Sequence, residues 1–339
     1  MIKETRREFI KKLGILGVGI SVIPAWIEKI FAQVIPKGNS KKYKSKVVIV
    51  KNKEVVNSKG KIEQEILTKM LNEAMRQLTG LKEIKDCWNQ YFSHNDIVGI
   101  KVNCIAGRKL STHPELVNAI ISGLLLAGVK EDNIIIYDRG TQELSKANFK
   151  INKNGSGIKC YGNDAVGYEF YPTMIRSVGC CFSKILSTQV TAIINVPVLK
   201  DHELTGVSLS LKNHFGSINN PNKYHGNNGD PYIADLNSHP LIKDKTRLII
   251  CDAITGLYNG GPGYKKQWTW HYRGILVSTD PVALDYIGTQ EIEKMRKAKK
   301  MKPLEDVGRP PKHIATAAKL GLGTDNPQEI EVIRKRSGV

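Results

Sequence analysis

Short apolar segments alternate with segments of helical periodicity along most of the chain, and this alternation restricts the fold more than any other feature. Residues 46–50, 97–102 and 134–137 have the length and composition of strands. Apolar residues between the first two recur at helical spacing up to Gly80, a typical helix stop. Pro114 suits a first helical turn, and Thr112 with Glu115 predicts a capping box. This order is typical of a parallel sheet with helical crossovers.

The same pattern returns in the second half of the chain. We interpret residues 191–196, 247–251 and 274–278 as buried strands, 281–300 as a helix and 311–336 as a closing helix and strand. Two polar stretches rich in glycine and asparagine, residues 152–167 and 216–230, are expected to be long loops or a small insertion over one rim. The predicted fold is therefore α/β, a mostly parallel sheet with helices on both faces, formed by a single domain over residues 47–335.

The amino terminus predicts export. Arg6 and Arg7 precede Phe9-Ile10-Lys11, which matches the twin-arginine consensus, and an uncharged apolar stretch follows over residues 13–27. That stretch is short for a membrane-spanning helix, which needs about 20 residues. We interpret residues 1–32 as a signal peptide and 33–46 as a linker. Gln33 follows the best candidate cleavage site, and an uncleaved anchor stays open, as does a buried amphipathic helix that begins a cytosolic domain.

These features predict passage through the twin-arginine translocase to a periplasmic or extracytoplasmic location, with membrane contact only through the signal segment if it is uncleaved. That route carries folded cargo, often loaded with a cofactor beforehand. The net charge of +19 is compatible with anionic small ligands, anionic surfaces or nucleic acid. The lysines are spread over many segments without a nucleic-acid recognition motif, so we expect no nucleic-acid partner. A general compositional bias toward lysine is the plainer explanation.

The six cysteines do not predict an iron–sulfur cluster, because none belongs to a Cys-x-x-Cys pair. Cys180 and Cys181 are neighbours and are candidates for a redox pair, although buried small apolar residues explain them as well. The sequence does not determine any disulfide pairing.

Polar residues concentrate after the predicted strands, where open parallel sheets bind ligands. The richest stretches are residues 195–202 and 206–216. Lys200 and Lys212 are point charges suited to phosphate or carboxylate. If residues 208–215 are helical, Ser208 and Lys212 share a face. His202 is a candidate general base or metal ligand.

These stretches resemble the family catalogued as domain of unknown function 362. The resemblance is carried by several short motifs at their observed spacing over residues 47–335: Pro197-x-x-Lys200-x-His202, Thr205-Gly206-x-Ser208, Lys212-Asn213-x-x-Gly216, His113-Pro114-Glu115-Leu116, Gly260-Gly261-Pro262 after Asp252, and Asp280-Pro281 to Asp285. The resemblance implies a fold and leaves the reaction open. Some relatives carry ferredoxin-like cysteine motifs, which this chain lacks.

We therefore predict three sets of site residues: catalytic His202, Lys200 and Asp252; substrate-binding Asn103, Lys212, Asn213, Gly260 and Gly261; and candidate metal ligands Asp252, Asp280, Asp285 and His202. Asp280 is also a natural helix N-cap, and the glycine pair is also a plain tight turn. The leading hypothesis is an exported enzyme acting on a small anionic substrate, with a metal or organic cofactor compatible with the site. The alternatives are a non-catalytic binding or assembly protein and a redox-linked protein.

Overall fold

The structure is a computed structural model that describes residues 44–337. The predicted signal peptide and most of the predicted linker lie outside the described residues. The strands in this part of the chain are β1 (Ser45–Lys51), β2 (Val98–Lys101), β3 (Ile134–Tyr137), β4 (Lys159–Cys160), β5 (Thr173–Ile175), β6 (Val178–Cys180), β7 (Ala192–Asn195), β8 (Val198–His202), β9 (Gly206–Ser208), β10 (Thr246–Leu257), β11 (Thr269–Trp270), β12 (Gly274–Ser278) and β13 (Ile330–Arg336).

The helices of the described residues are α1 (Gln64–Thr79), α2 (Ile84–Asn89), α3 (Pro114–Leu126), α4 (Thr141–Lys146), α5 (Ser210–Asn213), α6 (Tyr232–Asn237), α7 (Pro240–Lys243), α8 (Pro281–Ala298) and α9 (His313–Lys319). Gly80 ends α1 in the left-handed conformation, as the sequence predicts. Within residues 44–337, no helix combines the length and the apolar composition that crossing a membrane requires.

The main sheet confirms the predicted mostly parallel α/β fold. Its central order is β13-β1-β12-β10-β7-β2-β3-β4. Strand β12 runs antiparallel to both of its neighbours, and the other pairs along this path are parallel. The chain passes from β2 to β3 on one side and later from β7 to β10 on the other. The carboxyl ends of β2 and β7 therefore form a topological switch point, where open α/β sheets place ligands.

Alternate residues of the strands pack into two cores, one on each face of the sheet. Along β1, for example, Val47 and Ile49 belong to one core and Val48 and Val50 to the other. Helices α1 to α3 contribute to the core on one face, and α6, α8 and α9 contribute to the other. Helices thus cover both faces of the sheet, as predicted, and this burial explains the continuous apolar runs of the strands.

Four local features differ from the sequence-based expectations. Strand β1 begins at Ser45, two residues inside the predicted linker. Thr112 forms no capping box, because its hydroxyl donates to Val196 O instead. Residues 208–215 are not one helix: Ser208 ends strand β9, and helix α5 begins only at Ser210. A separate two-stranded hairpin, β5–β6, which the sequence analysis did not predict, follows the polar stretch 152–167.

Candidate functional site

A pocket of about 380 Å³ lies at the switch point, beside the carboxyl ends of β2 and β3 and the chain that follows β7. Its size falls in the range of small-molecule sites. Its polar lining includes Lys101, Asn103, His202, Lys212, Asn213 and His225, and its apolar lining includes Ile105, Leu204, Phe215, Pro221 and Pro262. Three of the five predicted substrate-binding residues therefore line one cavity.

The hairpin β8–β9 positions Lys200 and His202. Strand β8 pairs with β10 in parallel and with β9 in antiparallel, with Lys200 opposite Ser208 and His202 opposite Gly206. Residues two apart on a strand point to the same face, so the two side chains share one side of β8. His202 lines the pocket, whereas Lys200 is fully buried and is not among the lining residues.

A continuous set of side-chain hydrogen bonds connects the lining residues Asn103 and Asn213 to Lys200 and Asn195, which do not line the pocket. Lys200 Nζ donates to Asn103 Oδ1 at 2.7 Å, and Asn103 Nδ2 donates to Asn213 Oδ1 at 3.0 Å. Asn213 Nδ2 donates to Asn195 Oδ1 at 2.7 Å. These bonds fix the orientation of each amide, because the donor and acceptor ends are not interchangeable. These hydrogen bonds link strand β8 to the ends of β2 and β7.

Lys101 is a buried lysine of the site whose ammonium group has a hydrogen-bond acceptor for each of its protons. Its Nζ donates to Asp138 Oδ1 and Val102 O, each at 2.7 Å, and to Asn213 Oδ1 at 3.3 Å. Asp138 in turn accepts from the backbone N–H groups of Arg139 and Cys104. A lysine ammonium has three protons, so Lys101 has no donor left for a ligand.

Lys200 and Lys212 are buried ammonium groups without a carboxylate partner within 4.0 Å among residues 44–337. Lys212 Nζ contacts His225 Nε2 at 3.0 Å and lies 4.5 Å from the centre of the Phe215 ring. Burial lowers the pKa of Lys200 to about 8. Burial, with the charge of Lys200, lowers the pKa of Lys212 to about 7. The site therefore has an excess of positive charge that a bound anion would neutralise.

His202 is held as a neutral hydrogen-bond donor. Its Nδ1 accepts from Leu204 N at 3.1 Å, which leaves the ring proton on Nε2. Its ring stacks on that of His225, with centroids 5.4 Å apart. Burial, followed by the charge of Lys212, lowers the pKa of His202 far below its usual range. This arrangement suits donation to an anion better than the predicted general-base role.

None of the three aspartates predicted as catalytic or metal-binding groups belongs to the lining of the pocket. Asp252 Oδ2 accepts from both the backbone N and the ring Nδ1 of His113, each at 2.8 Å. Asp280 accepts from Val282 N and Ala283 N, which is the predicted N-cap. Asp285 accepts from the backbone N–H groups of Ser210 and Leu211. Each carboxylate thus has a structural role.

The four predicted metal ligands do not form a preformed metal site in the described residues. Among residues 44–337, no group of three or more His, Cys, Asp or Glu side chains is arranged to hold a metal ion. Of the four candidate ligands only His202 lines the pocket, and the three aspartates accept hydrogen bonds from three different sets of partners. Cys180 and Cys181 are free thiols, with Cys180 buried.

The Gly260-Gly261-Pro262 segment is a turn that closes on Asp201. Gly261 N donates to Asp201 Oδ1 at 2.7 Å, and Arg309 Nη1 lies 2.9 Å from Asp201 Oδ2. A Cβ at Gly261 would lie 2.0 Å from the carbonyl oxygen of Asp201. Gly261 was predicted to bind substrate, but its N–H is already bonded to the Asp201 carboxylate, and Pro262 supplies the contact with the pocket.

Three site residues were missed by the sequence analysis: Lys101, Asp138 and His225. The first two follow the strand-end rule and were recognisable in principle, because Lys101 ends β2 and Asp138 follows β3. His225 lies in the polar stretch 216–230, which was expected to be a long loop or part of a small insertion. No local signal in the sequence marks it, since Lys212, its partner, is thirteen residues earlier.

Comparison with known proteins identifies the family. No curated protein sequence matches this chain. A Thermotoga maritima protein, whose crystal structure comes from the Northeast Structural Genomics Consortium, is 10% identical with a TM-score of 0.40, over 71% of this chain and 60% of that one. This chain therefore spans less than two thirds of that protein. The family described as Domain of unknown function (DUF362) matches residues 98–290. Because that match covers more than half of the sequence, the chain belongs to the DUF362 family.

Proposed function

We propose that this protein binds a small anionic molecule in the pocket at the switch point, and that it acts on that molecule as an exported enzyme. The observation that carries the proposal is the pair Lys200 and Lys212, both buried and neither within 4.0 Å of a carboxylate among residues 44–337. A buried charge without a counter-ion is costly, and an anion from solution removes that cost.

The lining of the pocket specifies the ligand further. Lys212 and the Nε2–H of His202 supply positive charge and a neutral donor on one side. Ile105, Leu204 and Phe215 supply apolar surface, and the first two are 48% and 55% exposed at the mouth. A ligand with a carboxylate or phosphate attached to a small, partly apolar body fits both the charged side and the apolar side of the pocket.

The test is a melting-temperature titration of the folded domain with sulfate, phosphate and small carboxylates at matched ionic strength. We expect stabilisation that follows a saturable binding curve. Lys212→Met should abolish it. Lys223→Met is the matched control, because Lys223 is exposed on a neighbouring turn. Equal stabilisation of both variants and the native protein would rule out the pocket as the anion site.

Export belongs to the same proposal and rests on the sequence at Arg6 and Arg7. Replacing both arginines by lysine keeps the charge and removes the motif that the twin-arginine translocase recognises. In a host with that translocase, the native chain should fractionate outside the cytoplasm and the double variant inside it. Identical fractionation of the two would remove export from the proposal.

A second candidate function, a binding or assembly protein, is favoured by one surface feature. Phe170, Tyr171 and Met174 beside or within the β5–β6 hairpin are 86%, 78% and 75% exposed. Large apolar side chains grouped in this way often mark contact surfaces. Attachment to an anionic partner through exposed lysine side chains would weaken steeply with salt, whereas apolar attachment through this hairpin would not. Salt dependence of any association therefore separates the two modes, and Tyr171→Ser tests the hairpin.

A further inference from the structure

Lys212 has the surroundings of a reactive amine. Its side chain is 8% exposed, yet it lines the pocket. The only side chain within hydrogen-bond distance of its Nζ in the described residues is His225, a neutral base rather than a carboxylate. The Phe215 ring lies on another side of the ammonium. Buried lysines in such surroundings act as nucleophiles, because desolvation favours the uncharged amine.

His225 is placed to exchange a proton with Lys212. Its Nδ1 faces Asn222 O at 3.4 Å, so the ring proton belongs on Nδ1 and the lone pair of Nε2 faces Lys212 Nζ. Burial, and then the charge of Lys212, lowers the pKa of His225. A base of this kind accepts the ammonium proton for a short time and returns it.

The other two lysines of the site lack this arrangement. Lys101 donates its three ammonium protons to Asp138, Val102 O and Asn213, so its nitrogen is not available to react. Lys200 is fully buried behind Asn103 and does not line the pocket. Lys212 is therefore the lysine that combines contact with the pocket and a neighbouring proton acceptor.

We propose that Lys212 condenses with the carbonyl carbon of a small oxo-acid to form a protonated imine. The inference rests on the proposed function, because the carboxylate of the oxo-acid is the anion that the basic pocket attracts. It adds a covalent step and a substrate class: a carboxylate next to a ketone or aldehyde.

The step is balanced without any further reactant. The Lys212 ammonium passes one proton to His225 Nε2, and the free amine attacks the carbonyl carbon. The carbonyl oxygen takes up two protons, one returned by His225 and one from the attacking nitrogen, and leaves as water, while the nitrogen forms a double bond to carbon and keeps one proton. The products are one protonated imine and one water. The positive charge remains on nitrogen, so the neighbouring carboxylate keeps its ionic partner.

Reductive trapping tests the proposal. The folded protein is incubated at neutral pH with glyoxylate or pyruvate and sodium cyanoborohydride, and the modified lysines are located by peptide mass spectrometry. We expect Lys212 to be modified at least on the order of tenfold faster than exposed Lys223, because an ordinary lysine near pKa 10.4 is almost fully protonated at neutral pH. Equal modification of Lys212 and Lys223 would overturn the imine.

Lys212→Arg separates this inference from the proposed function. Arginine keeps the positive charge but forms no imine under these conditions. The variant should keep most of the sulfate stabilisation and lose the trapped product. Sulfate stabilisation of the native protein without preferential modification of Lys212 would overturn the imine and leave the anion site. Absence of both would overturn both. Modification of Lys212 without sulfate stabilisation would overturn the oxo-acid assignment.

Discussion

Lys200 Nζ donates to Asn103 Oδ1 at 2.7 Å, and this amide is the only hydrogen-bond partner of the ammonium among residues 44–337. Lys200 is fully buried on strand β8, and Asn103 follows the end of β2. The contact joins the β8–β9 hairpin to the strand end at the switch point. It also leaves a positive charge in the protein interior without a negative partner, which determines how substitutions should behave.

Lys200→Met is expected to stabilise the unliganded protein. With its pKa lowered to about 8, the charged lysine costs roughly 3 kcal/mol relative to the unfolded chain. The variant leaves Asn103 Oδ1 without its donor, which costs about 1–3 kcal/mol. The net change in the free energy of unfolding should be a gain of roughly 1 kcal/mol, measured by denaturant titration near neutral pH. A loss of more than about 2 kcal/mol would show that an unseen partner neutralises Lys200.

Lys101→Met is expected to have the opposite effect. Lys101 neutralises Asp138, and both side chains are buried. Removing one member of a buried ion pair costs about 3–5 kcal/mol, because the remaining charge is uncompensated. The double variant Lys101→Met with Asp138→Asn should recover at least part of that loss in the same denaturant titration. If the double variant is as unstable as the single one, packing rather than charge explains the loss.

Anion binding is expected to weaken as the pH rises. Burial and the charge of Lys200 lower the pKa of Lys212 to about 7, so Lys212 of the unliganded protein loses its positive charge above that pH. The affinity for sulfate, which stays doubly charged, should fall by up to about tenfold per pH unit between roughly pH 7 and 9. Without ligand, a lowered lysine pKa makes the folded state lose stability as the pH falls from about 10 toward 7, and sulfate should offset that loss.

Calorimetric titration with sulfate at about pH 6.5 and about pH 8.5 measures this dependence. Lys212→Arg is the control, because a guanidinium stays charged over this range and should make the affinity less dependent on pH. Lys200, whose pKa is lowered to about 8, also loses its charge in this range. His202, His225 and His313 should contribute little, because burial lowers the pKa of each ring. If the sulfate affinity of the native protein depends on pH as little as that of Lys212→Arg, Lys212 is excluded as the titrating group.

The sheet was predictable because strand length, apolar runs and helical spacing are local properties. The hairpin that carries the site was not. Val207, Leu209 and Leu211 alternate with polar residues, and the short stretch fits both a strand and a helix, so a helix over 208–215 was treated only as a condition. In the structure the chain changes from strand β9 to helix α5 within this stretch, where Asp285 accepts the N–H groups of Ser210 and Leu211.

The roles of the aspartates depend on partners far away in sequence. Asp252 was predicted to be catalytic because it follows the predicted strand 247–251, whereas β10 continues through it to Leu257. Its partner His113 is 139 residues earlier, and no local pattern reveals that pairing. By contrast, Asp280 precedes Pro281 at the start of a helix, and its N-cap role was predicted because it depends only on adjacent residues. Local rules thus identified caps and strand ends, whereas long-range pairs required the structure.

The glycine turn beside the pocket provides a steric test. A Cβ at Gly261 would lie 2.0 Å from the backbone carbonyl oxygen of Asp201, and a backbone atom cannot move aside as a flexible side chain can. Gly261→Ala should therefore reduce the free energy of unfolding by at least about 2 kcal/mol, measured by denaturant titration. It should also weaken sulfate binding, because the displaced turn carries Pro262 away from its place in the pocket lining.

Gly263→Ala is the matched control two residues later, since the described residues place no atom within 4 Å of its Cβ. That control should change stability by less than about 0.5 kcal/mol. Equal effects of the two alanines would mean that the turn does not close on Asp201 as the structure has it, and Pro262 would then lose its support as part of the site.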